Sequence, residues 1–364
     1  MKIIESPSGG HMIVDGQEIL NFGGTCYLGI CNVPEIIDAA VDSVRKYGAM
    51  GQIPKHYGYM TKCHIDAEEA GKAYFETEAA MYFIGGYLFA SMALQGLKDD
   101  YDVIFIDEKS HFSIRDGAMT TGKPIYEFKY CDSDDLKNTI EKHLIPGQIP
   151  IVAVDGMFPT YGNISPLGEY FKILEPYNGW MVIDESHSFG IIGPTGKGAV
   201  EAYDLPRERI VAGGSMAKAF CAYGGLAVGT NDVINKLMAS GPAKGASTGM
   251  TASAAMTAMS LKYVKNNPEL LEKAKENIFR LKNALNILGL NVGNSESPIA
   301  TFEFGKAQDM IAFQKYLENN GIFVQYSTYV GAGPEGVIRL ASYPDHTKED
   351  IERLILAIKK YLVI

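Results

Sequence analysis

No apolar run in this 364-residue chain reaches the roughly 18 to 20 residues that a membrane-spanning helix needs, and the polar start Met1-Lys2-Ile3-Ile4-Glu5-Ser6 has no signal-peptide core. Both absences lead us to expect a cytoplasmic protein. Cysteine is sparse: five residues, at 26, 31, 63, 131 and 221, an odd number with neither Cys-x-x-Cys nor a Cys/His cluster of zinc spacing. Reduced thiols are expected, and no metal. Positive charge is in deficit, with 33 Lys and Arg against 43 Asp and Glu, a formal net charge of −10. That balance argues against nucleic-acid or anionic-membrane partners, although a local positive site can still hold a small anion. Internal repeats, low-complexity tracts and flexible linkers are absent as well.

What is present is a sizeable soluble composition, 46% hydrophobic and 21% charged. Short, almost wholly apolar runs alternate with amphipathic helical stretches, a pattern of α/β architecture with a mainly parallel sheet covered on both faces. Strands are expected at 80–84, 103–106, 151–154, 181–183, 210–212 and 226–228, with helices at 34–47, 65–75, 87–97, 134–143, 167–177, 251–266 and 268–288. The pattern then changes to a smaller α+β unit with strands 298–304, 321–324 and 337–341 and helices 309–320 and 348–362. The expected division is an N-terminal segment 1–45, a large domain 46–265 and a small C-terminal domain 266–364.

In open α/β sheets ligands gather beyond the carboxyl ends of the strands. Four expected ends carry chemistry. Ile84 leads to Gly85-Gly86-Tyr87 and a helix, offering backbone N–H groups to a phosphate. Ile106 leads to Ser110-His111, Ile183 to Asp184-Glu185-Ser186-His187, and Ala212 to Gly213-Gly214-Ser215-Met216-Ala217-Lys218. An amine thirty-four residues after a carboxylate, with a phosphate cradle nearby, matches the three handles of pyridoxal 5'-phosphate: aldehyde, pyridine nitrogen and phosphate. Each residue alone has a plainer reading, Asp184 as a helix cap, His111 as a packed ring, Arg339 as a structural ion pair; the combination favours the cofactor. The glycine-rich stretch Gly193–Gly198 has Gly after Lys197 where a nucleotide loop needs Ser or Thr, and reads as a supporting turn.

From Asn21-Phe22-Gly23-Gly24-Thr25-Cys26-Tyr27-Leu28-Gly29 to His346-Thr347, and most specifically through Val182-Ile183-Asp184-Glu185-Ser186-His187-Ser188-Phe189-Gly190 and Gly193-Pro194-Thr195-Gly196-Lys197-Gly198, the chain resembles the α-oxoamine synthases of the fold-type-I pyridoxal phosphate enzymes. The family includes aminooxononanoate synthase, glycine acetyltransferase, aminolevulinate synthase and serine palmitoyltransferase. The resemblance implies condensation of glycine, alanine or serine with an acyl thioester, carried by coenzyme A or an acyl carrier protein, with decarboxylation to an α-amino ketone. It implies that Lys218 holds the cofactor aldehyde and serves as base at Cα, that Asp184 pairs with the pyridine nitrogen, that His187 bonds the ring hydroxyl and that His111 stacks on the ring. Phosphate contacts would come from Gly86, Tyr87, Ser215 and, across a homodimer boundary, Thr248. Arg339 would grip the substrate carboxylate, with Thr25 beside it.

The chain departs from the family at several points. Thr25-Cys26 stands where many members have Asn-Asp, Pro159 removes a serine hydroxyl, Tyr161 replaces an acid, and Thr251-Ala252 replaces a Pro-Pro pair. These changes surround the acyl-donor side more than the cofactor side. The alternatives are therefore another pyridoxal phosphate reaction on an amino acid (transamination, decarboxylation or a specialised carbon–carbon bond formation) and a non-catalytic binding module with a vestigial site.

Overall fold

The computed structural model describes residues 1–51 and 53–362. Its centre is a seven-stranded sheet in the spatial order Ala79–Phe83, Gly225–Gly229, Ile210–Ser215, Trp180–Asp184, Pro150–Asp155, Val103–Asp107, Ile125–Phe128. Gly225–Gly229 runs antiparallel to both neighbours, and the remaining pairs from Ile210–Ser215 to Ile125–Phe128 are parallel.

The strands lack a polar face because both of their faces are covered. Phe105, Val152, Val154, Met181 and Ile183 point into one apolar cluster; Ile104, Ile106, Ile151, Ala153 and Val182 point into another on the opposite side. The period-two alternation of a strand divides a continuous apolar run between two cores. Helices Phe89–Gly96 and Asn231–Ala239 cover one side, and Lys62–Phe75 and Thr251–Asn266 the other. Pro34–Tyr47 opens with proline at its first position, where no intrahelical N–H bond is lost, and stops at Gly48, whose φ is 77°.

A second sheet, antiparallel, orders Ile299–Phe302, Val337–Ala341 and Gln325–Ser327, and places Arg339 on its central strand opposite Thr301 and Gln325. A third joins the hairpin His11–Val14 and Gln17–Asn21 to Ile322–Phe323. The segment 321–324, expected in the smaller sheet, pairs instead with the N-terminal hairpin: Ile322 lies opposite Leu20 and Phe323 opposite Asn21. The expected boundary at 45/46 falls inside Pro34–Tyr47, and that at 265/266 before the last residue of Thr251–Asn266. Among the described residues no helix is long and apolar enough to cross a membrane.

His346 joins the two ends of the chain. Its Nδ1 accepts from the Tyr343 N–H at 3.1 Å, so Nε2 carries the proton and donates to the Asn21 carbonyl at 2.9 Å; the ring stacks on Phe22 at 4.1 Å. Burial pushes this histidine down from 6.5 to about 4. A depressed base stabilises the fold in its neutral form, so this contribution is complete above pH 6.5 and is lost as pH falls toward 4. We expect urea titrations to show a loss of up to about 3 kcal/mol over that interval, attenuated in His346→Gln.

Candidate active site

The parallel strands Pro150–Asp155, Trp180–Asp184 and Ile210–Ser215 end side by side, with Asp155 in register with Asp184 and Asp184 with Gly213. Their carboxyl ends, the Gly85–Tyr87 turn, the Thr25 loop and the central strand of the small sheet enclose a cavity of about 520 Å³. Lys218, His111, Asp184, His187, Gly86, Tyr87, Ser215, Arg339 and Thr25 all line it. The sequence reading assigned seven of these to the cofactor and Arg339 and Thr25 to the substrate, and the fold brings all nine to one cavity.

Two buried carboxyl groups lie together at its floor. Asp155 Oδ2 accepts from the His111 N–H at 2.8 Å, and Asp184 Oδ1 accepts from the Ser186 N–H at 2.9 Å. Burial raises both, and the charge of Asp184 raises Asp155 further, well above the ordinary carboxylate range. Asp184 is opposed in this by its bonds to Ser186 and by the nearby His111 and Lys218. Of the two, Asp155 is pushed toward the protonated form, while the bonds from Ser186 and the nearby cations favour the negative charge on Asp184.

The two histidines are fixed in single tautomers. His111 caps helix Phe112–Met119; its Nδ1 accepts from the Ser113 N–H at 3.2 Å, so Nε2 bears the proton and donates to the Tyr329 hydroxyl at 2.7 Å. His187 Nδ1 lies 2.8 Å from the Tyr27 hydroxyl, which accepts from Arg339 Nη2 at 3.0 Å. A phenol with its lone pair engaged by a guanidinium gives its proton to the imidazole, so His187 accepts at Nδ1 and keeps its proton on Nε2. Burial lowers His187 well below its ordinary value, and the cations Lys218 and Arg339 lower it further, which keeps it neutral.

Arg339 is 4% exposed, yet among the described residues no carboxylate lies within 4 Å of its guanidinium. Its Nε donates to the Pro159 carbonyl at 2.9 Å, Nη1 to the Gly24 carbonyl at 3.0 Å and Nη2 to Tyr27. Two of its five N–H donors are left for a ligand, beside a positive charge that the protein does not neutralise.

Lys218 follows the strand end by three residues and is half-buried. Burial lowers its pKa, Asp184 raises it and Arg339 lowers it again. Facing it, Gly86 approaches Ser215 so closely that a β-carbon there would lie 2.4 Å from Ser215 Cβ. Only glycine fits, and the approach leaves the N–H groups of the turn and the Ser215 hydroxyl around one small space suited to a phosphate.

Thr248 lies elsewhere: it lines a separate cavity with Lys55, His56 and Gly58, away from Lys218 of the same chain. Sequence reasoning missed Tyr27, Asp155 and Tyr329 as parts of the site. Tyr27 was within the resembling stretch and Asp155 at an expected strand end, so both carried a signal; Tyr329 reaches His111 from the small unit, which nothing local announces. Tyr161 turns away to donate to Glu303 at 2.9 Å, so it does not replace the missing acid inside the cavity. Pro159 contributes only its carbonyl, to Arg339. Gly193–Gly198 is the supporting turn expected: the Glu185 carboxylate accepts from the N–H groups of Ala199 and Val200 just after it.

Comparison with known proteins agrees with this fold. An 8-amino-7-oxononanoate synthase of Thermoanaerobacter pseudethanolicus is 28% identical over 364 residues, covering 99% of this chain and 92% of the relative. Another, from Treponema denticola, is 29% identical over 361 residues, 98% and 91% of the two chains. Among solved structures, a serine palmitoyltransferase from S. paucimobilis with a bound PLP–myriocin adduct superposes with a TM-score of 0.92 at 20% identity, covering 100% of this chain and 94% of that one. An 8-amino-7-oxononanoate synthase from Francisella tularensis gives 0.79 at 22% identity over 95% of this chain and 99% of that one. Residues 19–358 match the aminotransferase class I and II family, and the chain belongs to it.

Proposed function

We propose that this protein is a pyridoxal 5'-phosphate-dependent acyltransferase that condenses a small α-amino acid with an acyl thioester, releasing carbon dioxide and a thiol and leaving an α-amino ketone. The observation that carries the reading is Arg339, a buried cation that among the described residues has no carboxylate partner and that faces the same cavity as Lys218. A bidentate guanidinium there selects a carboxylate, and the lysine beside it supplies the amine chemistry.

The residues present fit the cofactor. Gly86, Tyr87 and Ser215 would hold the phosphate, Lys218 would take the aldehyde, Asp184 would pair with the pyridine nitrogen, His187 would donate its Nε2 proton to the ring hydroxyl and His111 would pack against the ring. When bound, pyridoxal phosphate supplies an electron sink for the pair left at Cα when a bond there breaks. Arg339 orients the amino acid by its carboxylate, with Thr25 at the same wall. Lys218, its basicity lowered by burial, accepts the Cα proton at Nζ and later returns one. With the His111 Nε2 proton given to the Tyr329 hydroxyl, the Tyr329 O–H is the donor left free at this wall of the cavity.

Subunit pairing completes the picture. Exposed Ile53, Tyr57, Tyr59, Ile65 and Met250 surround the Thr248 region, an apolar surface that suits a second copy. In such a homodimer Thr248 reaches the phosphate of the partner's site, and the large domain 46–265 carries the cofactor while 266–364 brings Arg339. Five free thiols suit the reducing cytoplasm.

Asparagine substitutions separate the two carboxyl groups. Asp155→Asn keeps an acceptor for the His111 N–H and should stay within about 1 kcal/mol of wild-type stability and tenfold of its turnover. Asp184→Asn removes the charge and should lower turnover at least 100-fold, an effect on the order of 3 kcal/mol. Steady-state rates and thermal melts check both.

The direct assay incubates cofactor-loaded protein with glycine, alanine or serine and acyl-CoA or acyl carrier thioesters of varied length. Equal amounts of carbon dioxide, free thiol and amino ketone, formed only with both substrates present, are expected. Carbon dioxide or amine transfer without any need for a thioester contradicts the condensation.

A further inference from the structure

Cys26 and Cys221, 195 positions apart in the chain, have their sulfurs 3.1 Å from each other, with Cys31 on the wall of the same cavity. The three thiols line one cavity of about 410 Å³ that shares Thr25 and Ala217 with the active-site cavity. All three are partly exposed, so solvent-borne reagents can reach them. All five cysteines are free, and among the described residues no cluster of His, Cys, Asp or Glu is arranged to hold a metal ion.

We propose that Cys26 and Cys221 are a modification site: they close reversibly to a disulfide when a hydroperoxide enters this cavity, with Cys31 as the thiol attacked first. Cys31 is half-buried and lines a second cavity besides this one, so it is open to a reagent from two sides; its S–H donates to the Ser8 carbonyl, and the neighbouring Cys221 and Cys26 lower its hold on that proton. Its thiolate attacks one peroxide oxygen, the O–O bond breaks, and alcohol or water leaves, forming a sulfenic acid. The Cys221 thiol displaces water from that sulfur. The Cys26 thiolate then attacks Cys221, and Cys31 departs as thiolate. In sum, two thiols and one hydroperoxide give a disulfide, an alcohol or water, and a further water; two electrons pass from sulfur to oxygen.

The consequence follows from position. Cys26 lies between Thr25 and Tyr27, and the Cys221 N–H donates to the Lys218 carbonyl at 3.1 Å. A disulfide is about 2.0 Å long, so its closure draws the two sulfurs together by roughly 1 Å and pulls on the loops that carry them. A displacement of that size at a reacting group costs up to about 100-fold in rate. The loss of rate rests on the function proposed above; formation of the bond does not.

The test treats reduced, cofactor-loaded protein with a few equivalents of hydrogen peroxide, alkylates under denaturing conditions and maps the peptides. Expected is a dithiothreitol-reversible link between the Cys26 and Cys221 peptides with Cys63 and Cys131 fully alkylated, and at least tenfold slower linkage in Cys31→Ser. A link that joins other cysteines, or Cys26 and Cys221 remaining as alkylatable as Cys63, overturns the site. Turnover should fall at least tenfold on linkage, recover on reduction and resist peroxide in Cys221→Ser. If peroxide inactivates that variant equally, the tether is not the cause, while the mapped link still decides the chemistry.

Discussion

Lys218→Ala should leave a folded protein with turnover reduced on the order of 10⁴-fold. Lys218 is the one lysine among the described residues that line the cavity, so no neighbouring amine can substitute for it. The loss combines the general base at Cα, worth up to about 10⁴ in rate, with the covalent attachment of the cofactor. Lys218→Arg should be equally inactive, since a guanidinium does not give up its proton near neutral pH. Melting temperature should change little or rise, because burial of this cation opposes folding. The amine works as a base only when neutral, so turnover rises with pH through the pKa of Lys218, which burial places below that of an ordinary lysine. In Asp184→Asn the neighbouring charge that raises this pKa is gone, and the residual activity should rise at lower pH. Rate-pH profiles of the wild type and this variant check the direction.

Arg339→Lys should raise the KM for the amino acid about 100-fold while lowering kcat far less, an effect of roughly 3 kcal/mol. The ammonium keeps the charge but loses the fork, and it cannot hold the carbonyls of Gly24 and Pro159 and the Tyr27 hydroxyl together. Arg339 thus does two things: it offers free donors to a carboxylate and, through Tyr27, it fixes the tautomer of His187. The kinetic split separates them. A KM effect alone identifies substrate binding, whereas an unchanged KM with a kcat loss assigns Arg339 to the Tyr27–His187 relay and contradicts its role at the carboxylate.

Most of this was legible because the relevant signals are local. The six strands at 80–84, 103–106, 151–154, 181–183, 210–212 and 226–228 are wholly apolar because they are buried on both faces, and each lies within a strand of the large sheet or overlaps it within one residue. The seventh, Ile125–Phe128, is an edge strand in which only Phe128 is buried and Glu127 is exposed, so its pattern gave no such run. The N-terminal hairpin was missed because its burial comes from distant Phe323 and the His346 staple, contacts that cannot be read from eleven residues of sequence. The same reason hid Gln325–Ser327 and sent 321–324 to the wrong sheet. At the site, residues that follow strand ends were found by position, whereas those that act through another residue were not. Tyr329 acts on His111 from 218 positions away, and Cys26 meets Cys221 across 195. Contacts of that kind are decided by packing of the small unit and the N-terminal loop against the large sheet.

The measurement closest to the central claim is borohydride reduction of the protein loaded with pyridoxal phosphate, followed by proteolysis and mass mapping. The account predicts one pyridoxyl group per chain, on the Lys218 peptide alone, and prior addition of an amino acid that Arg339 can grip should prevent it. Labelling of another lysine, or no labelling at all in a folded protein, would contradict the assignment of this cavity and the reaction derived from it.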